Sequence, residues 1–238
     1  MSDAATPIER LEWDSDFFGF GVGRVAAARL APRDAAGCAR RARELGLRCL
    51  YFLADSGDPE SWRAAIGAGF DPIDIRVELD RELPLAGQAP DCALAGESDL
   101  SALIHLARGT FTESRFFRDR RFPSGKAEEL FSLWVRRGVS HSDSFTVLSR
   151  SSGEPSGFVS ARITSIESGR IELVAVSPAL RGQGVGLRLL DSCMGELARR
   201  GARRIFVVTQ GSNAAAQRLY ERAGFRTRSV GLWFHGWY

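Results

Sequence analysis

Hydrophobic and polar positions along this chain repeat with two periods that take turns in a regular order. Residues 38–45 carry helical spacing closed by Gly46, and 48–54 is an apolar run of strand character. A short helix over 61–66 is stopped by 67–69. Then 73–79 alternates, with Ile73, Ile75, Val77 and Leu79 set inward as on a half-buried strand. Ahead of these, Trp13, Phe17, Phe18 and Phe20 crowd among carboxylates and glycines, which predicts a packed loop leading into a strand over 22–26. That loop reads as a hydrophobic plug for the base of the domain, with a substrate lid as the alternative.

The second half follows the same grammar. A strand over 93–95, a helix start at Glu97-Ser98-Asp99 and a helix over 100–109 precede the polar and aromatic segment 111–119. Beyond Pro123 and Gly125, the positions Ala127, Leu130, Phe131, Trp134 and Val135 fall on one face of an amphipathic helix. Strands over 144–149 and 157–164 flank the turn Ser152-Gly153-Glu154-Pro155. An apolar run, 171–176, then enters Arg181-Gly182-Gln183-Gly184-Val185-Gly186, and a helical pattern begins at Leu187.

The glycine-rich turn is where candidate chemistry starts. Three glycines permit positive φ, so successive N–H groups can converge on one point, and the next helix adds its unpaired first-turn donors. A phosphate or pyrophosphate suits such a site. The turn is neither G-x-G-x-x-G nor a Walker loop, because no Lys-Ser/Thr follows, so dinucleotides and nucleoside triphosphates are poor candidates. After a strand over 204–209 comes Asn213-Ala214-Ala215-Ala216-Gln217-Arg218-Leu219-Tyr220, closed by Gly224-Phe225.

Strand, R-x-x-G-x-G turn, helix, strand and N-x-x-A-x-x-L-Y-x-x-x-G-F, together covering 171–225, resemble the acyl-coenzyme A-binding core of the GNAT superfamily of N-acetyltransferases. The resemblance implies an α/β (α+β) GNAT fold, a mixed central sheet flanked by helices, with acetyl-CoA as cosubstrate. A narrower resemblance rests on Trp13-Asp14, Phe17-Phe18-Gly19, the Ser114-Arg115-Phe116 segment, Val208-Thr209-Gln210 and Leu232-Trp233-Phe234. These are similar to the dTDP-fucosamine acetyltransferase group, which acetylates the 4-amino group of a nucleotide-linked 4-amino-4,6-dideoxygalactose.

The first half carries a faint echo of the second. Gly46 and Phe70 stand 24 residues apart, as do Gly201 and Phe225, and both pairs bracket strand, helix and Ala-Gly-Phe. The inference is a partial, degenerate GNAT-like domain over 1–82, a linker over 83–91 with Pro84, Gly87 and Pro90, and a catalytic domain over 92–238. A chance match of common α/β punctuation is the alternative. The copy lacks the glycine turn and a tyrosine at the place of Tyr220, so it is not expected to bind coenzyme A. Extending the sheet, shaping the acceptor cleft or mediating dimerisation are its candidate roles.

Composition narrows the field. With 238 residues and 44% hydrophobic content, the chain buries a full core. A net charge of +3, with Lys126 as the sole lysine and no basic run, argues against a nucleic-acid partner. Cys38, Cys49, Cys92 and Cys193 show no C-x-x-C spacing, and His105, His141 and His235 are far apart, which argues against a metal. No signal-peptide core or membrane-length apolar run is seen, so the reading is a soluble cytoplasmic protein and, by default, a homodimer.

Direct transfer to an amine needs both substrates held together, an acid for the departing thiolate and a base for the amine, but no protein nucleophile. Tyr220 shares a helix face with Ala216, Leu219 and Ala223, and the resemblance assigns its position to thiolate protonation. A core tyrosine is the alternative. Asn213 caps the helix and can reach the pantetheine arm. Backbone groups of Val174, Ala175 and Val176 are expected to pair with pantetheine amides, and those of Gly182, Gln183, Gly184, Val185 and Gly186, opened by Arg181, to hold the pyrophosphate. Glu172 faces with Val174 and Val176 by strand period, and burial would make it a base; a structural ion pair or a water relay are equal alternatives, with His235 and Glu113 as outside candidates. Arg115 suits a diphosphate, or pairs with Glu113 or Asp119 to hold its loop.

Overall fold

The computed structural model describes residues 7–84 and 92–238; residues 85–91 of the expected linker lie outside the described residues. In chain order the first half forms β1 (Ile8–Arg10), α1 (Glu12–Phe18), β2 (Val22–Val25), α2 (Pro32–Glu44), β3 (Cys49–Asp55), α3 (Pro59–Gly67) and β4 (Phe70–Glu82). The second forms β5 (Ala93–Leu94), α4 (Leu100–Ala107), α5 (Arg115–Arg118), α6 (Lys126–Ser140), β6 (Ser144–Ser151), β7 (Glu154–Ser165), β8 (Ser168–Val176), α7 (Val185–Arg199), β9 (Arg204–Gln210), α8 (Ala214–Arg222) and β10 (Arg226–Trp237).

Among the described residues, ten strands join one mixed sheet in the order β1-β2-β3-β10-β4-β9-β8-β7-β6-β5. The pairs β2–β3 and β8–β9 are parallel and each is bridged by a helix, α2 or α7; the remaining pairs are antiparallel. Strand β4, from 1–82, lies between β9 and β10, so the two sequence halves are interleaved in space. The registers are matched. If Phe70 and Phe225 correspond, Arg76 corresponds to Gly231 and Gln210 to Asp55. Strands β4 and β9 pair Arg76 with Gln210, and β10 and β3 pair Gly231 with Asp55. In the centre Arg76 and Gly231 pair with each other, where a two-fold relation would set its axis.

Helix α7 covers one face of the second half over a core of Val77, Leu79, Leu189, Leu197, Ile205, Val207 and Phe225. On the opposite face, α4 and α6 close a second core with Leu103, Phe131, Val135, Leu148, Phe158 and Leu173. The first half buries Leu30, Cys38, Leu50 and Phe52 with Phe234 of β10. A fourth, aromatic cluster joins Phe18, Tyr51 and Phe122, with Trp233 and Trp237 against it.

Two expectations are corrected. The aromatic opening is not a loop: 12–18 is helical, with Glu12 and Asp14 in its first turn favouring the positive helix end and Gly19, at φ 76°, ending it. Seven residues rich in aromatics are too short for a helical period to show. Along β4, Val77 and Leu79 are buried but Ile75 is exposed and lies over Gly211, because the partner strand β9 ends beside it.

Interleaving makes a prediction. Phe234 is fully buried and packs on Phe52 with ring centroids 6.1 Å apart. Phe234→Ala should cost about 3–5 kcal/mol. Urea unfolding followed by far- and near-ultraviolet circular dichroism should show the whole transition moving as one. Two transitions with only one displaced would mean that the halves fold separately.

Candidate active site

Strands β8 and β9 pair only as far as Ile171 and Val207. Beyond that point β8 stays bonded to β7 up to Val176, and its other edge has no partner strand. A cleft of about 1300 Å³ opens in this gap. A bulge in β8 lies at its start: Ser160 pairs with Leu173 and Ala161 with Ile171, leaving Glu172 as the extra residue. The strand's facing reverses there. Ile171 packs under α7, whereas Leu173 and Ala175 pack under α4 and α6.

The turn after β8 supplies one end of the cleft. Gly182 and Gly184 have φ 78° and 77°, a backbone that a side chain disfavours, and Gly184 opens α7. No side chain caps this helix, so its first N–H groups are left for an anion. Gly186 differs from the expectation of positive φ; it lies inside α7, where an added Cβ would stand 3.2 Å from the Leu219 side chain of α8. Arg181 donates from Nε to the Val176 carbonyl at 3.2 Å, tying the turn to the strand. Gln183 turns outward, its Nε2 donating to Ala179, and does not line the cleft. Val174, Val176, Gly182, Gly184, Val185 and Gly186 do, whereas the Ala175 side chain is buried.

Helix α8 forms another wall. Asn213 Oδ1 accepts from the Ala216 N–H at 3.1 Å, which caps the helix; among the described residues its amide nitrogen makes no hydrogen bond. Tyr220 is buried beside Phe225 and lines the cleft. Burial pushes its phenol above the ordinary value, so the hydroxyl keeps its proton.

The first half, with α5, closes the far end. Asp14 and Trp13 of α1, Asp74 and Arg76 of β4, Arg115 of α5 and Trp233 of β10 all line the cleft. Asp74 stands opposite Trp233 in register, and its Oδ1 is buried without a hydrogen-bond partner. Burial, partly offset by Arg118, pushes its carboxyl up to about 6. Composition did not single out Asp74; what distinguishes it is its place on β4 just past the last pair with β9.

Three base candidates change standing. Glu172 is exposed, and its Oε1 accepts from Arg162 Nε at 2.6 Å, so the premise of burial fails and the bulge breaks the strand period used to face it with Val174. Glu113 is exposed and accepts from Arg118 at 2.7 Å and Ser212 at 2.8 Å; these bonds hold it below its usual range. His235 is fully buried between Asp119 and Arg115. Arg115 pairs directly with neither Glu113 nor Asp119; Arg118 and Arg121 take those carboxylates.

The model of the Acetyltransferase (GNAT) family matches residues 103–225, more than half of the chain. The chain belongs to the GNAT acetyltransferase family. It is thus an acetyl-CoA-dependent N-acetyltransferase. It is 26% identical to the dTDP-fucosamine acetyltransferase of Escherichia coli O6:H1, over 96% of this chain and 97% of that protein. Spore coat polysaccharide biosynthesis protein SpsD of Bacillus subtilis is 29% identical over 58% of this chain, which spans about half (48%) of that relative's length. Among solved structures, a GCN5-related N-acetyltransferase from Kribbella flavida superposes with a TM-score of 0.67 at 15% identity, covering 98% of this chain and 88% of that one. That likeness speaks to the GNAT fold alone.

The turn is open to test. Gly182→Ala adds about 1–2 kcal/mol of left-handed strain. Relieving it by opening the turn should raise KM for acetyl-CoA roughly 5–30-fold, at about 1.4 kcal/mol per tenfold, and leave the acceptor KM alone. Initial-rate kinetics with each substrate varied in turn would check this.

Proposed function

We propose that this GNAT protein transfers the acetyl group of acetyl-CoA to the 4-amino group of a nucleotide-activated amino-deoxy sugar, in the cytoplasm. The observation that carries the reading is the far end of the cleft, where the carboxyl of Asp74, whose buried Oδ1 has no hydrogen-bond partner among the described residues, and the guanidinium of Arg115 line the same space. A carboxylate receives an ammonium, and a planar guanidinium fork suits a diphosphate. End-to-end similarity to a dTDP-fucosamine acetyltransferase supports the same acceptor class.

On this reading the unpaired edge of β8 at Val174, Ala175 and Val176 receives the pantetheine amides, with the Asn213 amide nitrogen beside it. The backbone from Gly182 to Gly186, anchored by Arg181, receives the pyrophosphate. Asp74 takes a proton from the acceptor ammonium, and the neutral nitrogen attacks the thioester carbon. As the C–N bond forms and the C–S bond breaks, Tyr220 gives its proton to the sulfur, and the second proton lost by the nitrogen as it becomes an amide restores the phenol. Glu172, ion-paired to Arg162 at the rim, is assigned to the cleft wall. Residues 1–82, lacking the glycine turn and carrying Ala65 where Tyr220 would correspond, act as a degenerate GNAT-like half that builds the acceptor end.

A thiol-release assay with acetyl-CoA tests the reading against dTDP-4-amino-4,6-dideoxyhexoses, free amino sugars, polyamines and peptide N-termini. Turnover confined to nucleotide sugars is expected; turnover only on polyamines or peptides would discard the acceptor. Tyr220→Phe should lower kcat by roughly 10²–10⁴-fold. Asp74 works as a base only when ionised, so kcat/KM for the acceptor should fall as pH drops through about 6. Its neighbours Arg118 and Arg115 favour ionisation and Glu113 opposes it. In Asp74→Asn that acid limb should vanish along with most of the rate.

A further inference from the structure

Arg115 is held in an unusual way for a cleft-lining arginine. Its guanidinium carbon stands 4.0 Å from the Tyr51 ring centroid, 4.3 Å from that of Trp233 and 4.4 Å from that of Phe116. Aromatic faces thus hold it by cation–π contact and limit its rotation. Among the described residues its single hydrogen bond runs from Nη1 to His235 Nε2, 2.9 Å away. A guanidinium has five N–H donors, and here four remain unspent.

His235 has one arrangement open to it. Arginine only donates, so Nε2 must accept, and the ring proton must sit on Nδ1. That proton points at Asp119 Oδ2, 2.7 Å away. Burial pushes the imidazole down to about 4, although Asp119 opposes this, so it stays neutral as this geometry requires. Asp119 is buried too. Despite that burial, bonds from His235, Arg121 and Trp237 hold its carboxyl well below the usual range. Trp237 Nε1 donates to Oδ2 at 2.9 Å and Arg121 Nε to Oδ1 at 2.8 Å. Asp14, the carboxylate nearest in effect, offsets part of the Arg115 charge without bonding to it. The chain therefore runs inward from a fixed carboxylate, through a neutral histidine of fixed tautomer, to a guanidinium whose free donors are exposed to the cleft.

We propose that Asp119 and His235 are positioning residues that orient the Arg115 fork to receive the diphosphate of the acceptor. This rests on the acceptor class proposed above. It adds that affinity for the diphosphate depends on two buried side chains that never touch it. A purely structural role for His235 would lower stability and impair both substrates together. A positioning role falls on one portion of one substrate.

The test uses His235→Phe, which keeps the ring and removes the acceptor nitrogen, and His235→Gln, whose amide oxygen restores an acceptor toward Arg115. Binding of dTDP is measured by calorimetry with saturating coenzyme A, so that the turn after β8 is filled and only the acceptor end reports. Expected is a tenfold or larger loss of dTDP affinity in His235→Phe, at least partial recovery in His235→Gln, and no further loss when His235→Phe is added to Arg115→Lys. In turnover the loss should fall on KM for the nucleotide sugar, with KM for acetyl-CoA unmoved. Equal dTDP affinity in wild type and a folded His235→Phe, or no dTDP binding by wild type, would overturn the proposal. If His235→Phe does not fold, Asp119→Asn takes its place under the same criteria. A wild type that binds dTDP through this chain yet acetylates no nucleotide sugar would sink the acceptor reading and leave the positioning chain standing.

Discussion

Everything at the site depends on two parallel strands that stop pairing. Up to Ile171 and Val207 the backbone groups of β8 and β9 satisfy each other; past that point β8 has an unpaired edge in the middle of a ten-stranded sheet. Unpaired peptide groups inside a protein are costly, so such a gap persists only where solvent or a ligand reaches it. The bulge at Glu172 starts the divergence. It also lets Ile171 serve the core under α7 while Leu173 and Ala175 serve the core under α4 and α6, so one strand closes two cores while parting from its neighbour.

The opening alone does not choose an acceptor. Its acceptor end is lined by the first half, which enters the sheet by exchange: β10 inserts between β3 and β4, and β4 between β10 and β9. Asp74 reaches the cleft because β4 runs on beyond the end of β9, and Arg115 because α5 lies over the rings of Tyr51 and Trp233. One group comes from the early chain and one from the middle, and a strand from the very end supplies Trp233 and His235. This arrangement puts charged groups at the seam, where burial can perturb them, while the apolar cores on either side remain ordinary.

How far the sequence could be read depends on how local each signal is. The turn 181–186, the cap at Asn213 and the face of Tyr220 were legible because each is written within a few residues, in glycines, a cap and a helical period. The period from Ala127 to Val135 likewise predicted α6. The ion pair of Glu172 was one of the alternatives left open, but its facing was not legible, because a bulge leaves no mark in a strand pattern and one extra residue reverses the facing of every later position on the strand. Helix α1 was missed for want of length, and Gly186 was read as a turn glycine when it lies inside α7, packed against Leu219. Asp74 could not be found at all: its isolation is set by where β9 ends and by Trp233, far along the chain.

The cleft also shows how one protein keeps opposite charges useful within a short span. A carboxyl that titrates near neutrality needs to be desolvated, and in Asp74 this happens although Arg118 and Arg115 favour its ionised form. Burial prevails for Asp74 because neither arginine bonds to it: Arg118 is drawn off by Glu113 and Ser212, and Arg115 by His235 and the aromatic rings. Asp119, by contrast, is bonded on both oxygens and stays fully ionised despite its own burial. Two carboxylates in one region thus differ in chemistry through hydrogen bonding rather than through depth. The contacts that steady Arg115 are the same ones that keep it from pairing with Asp74.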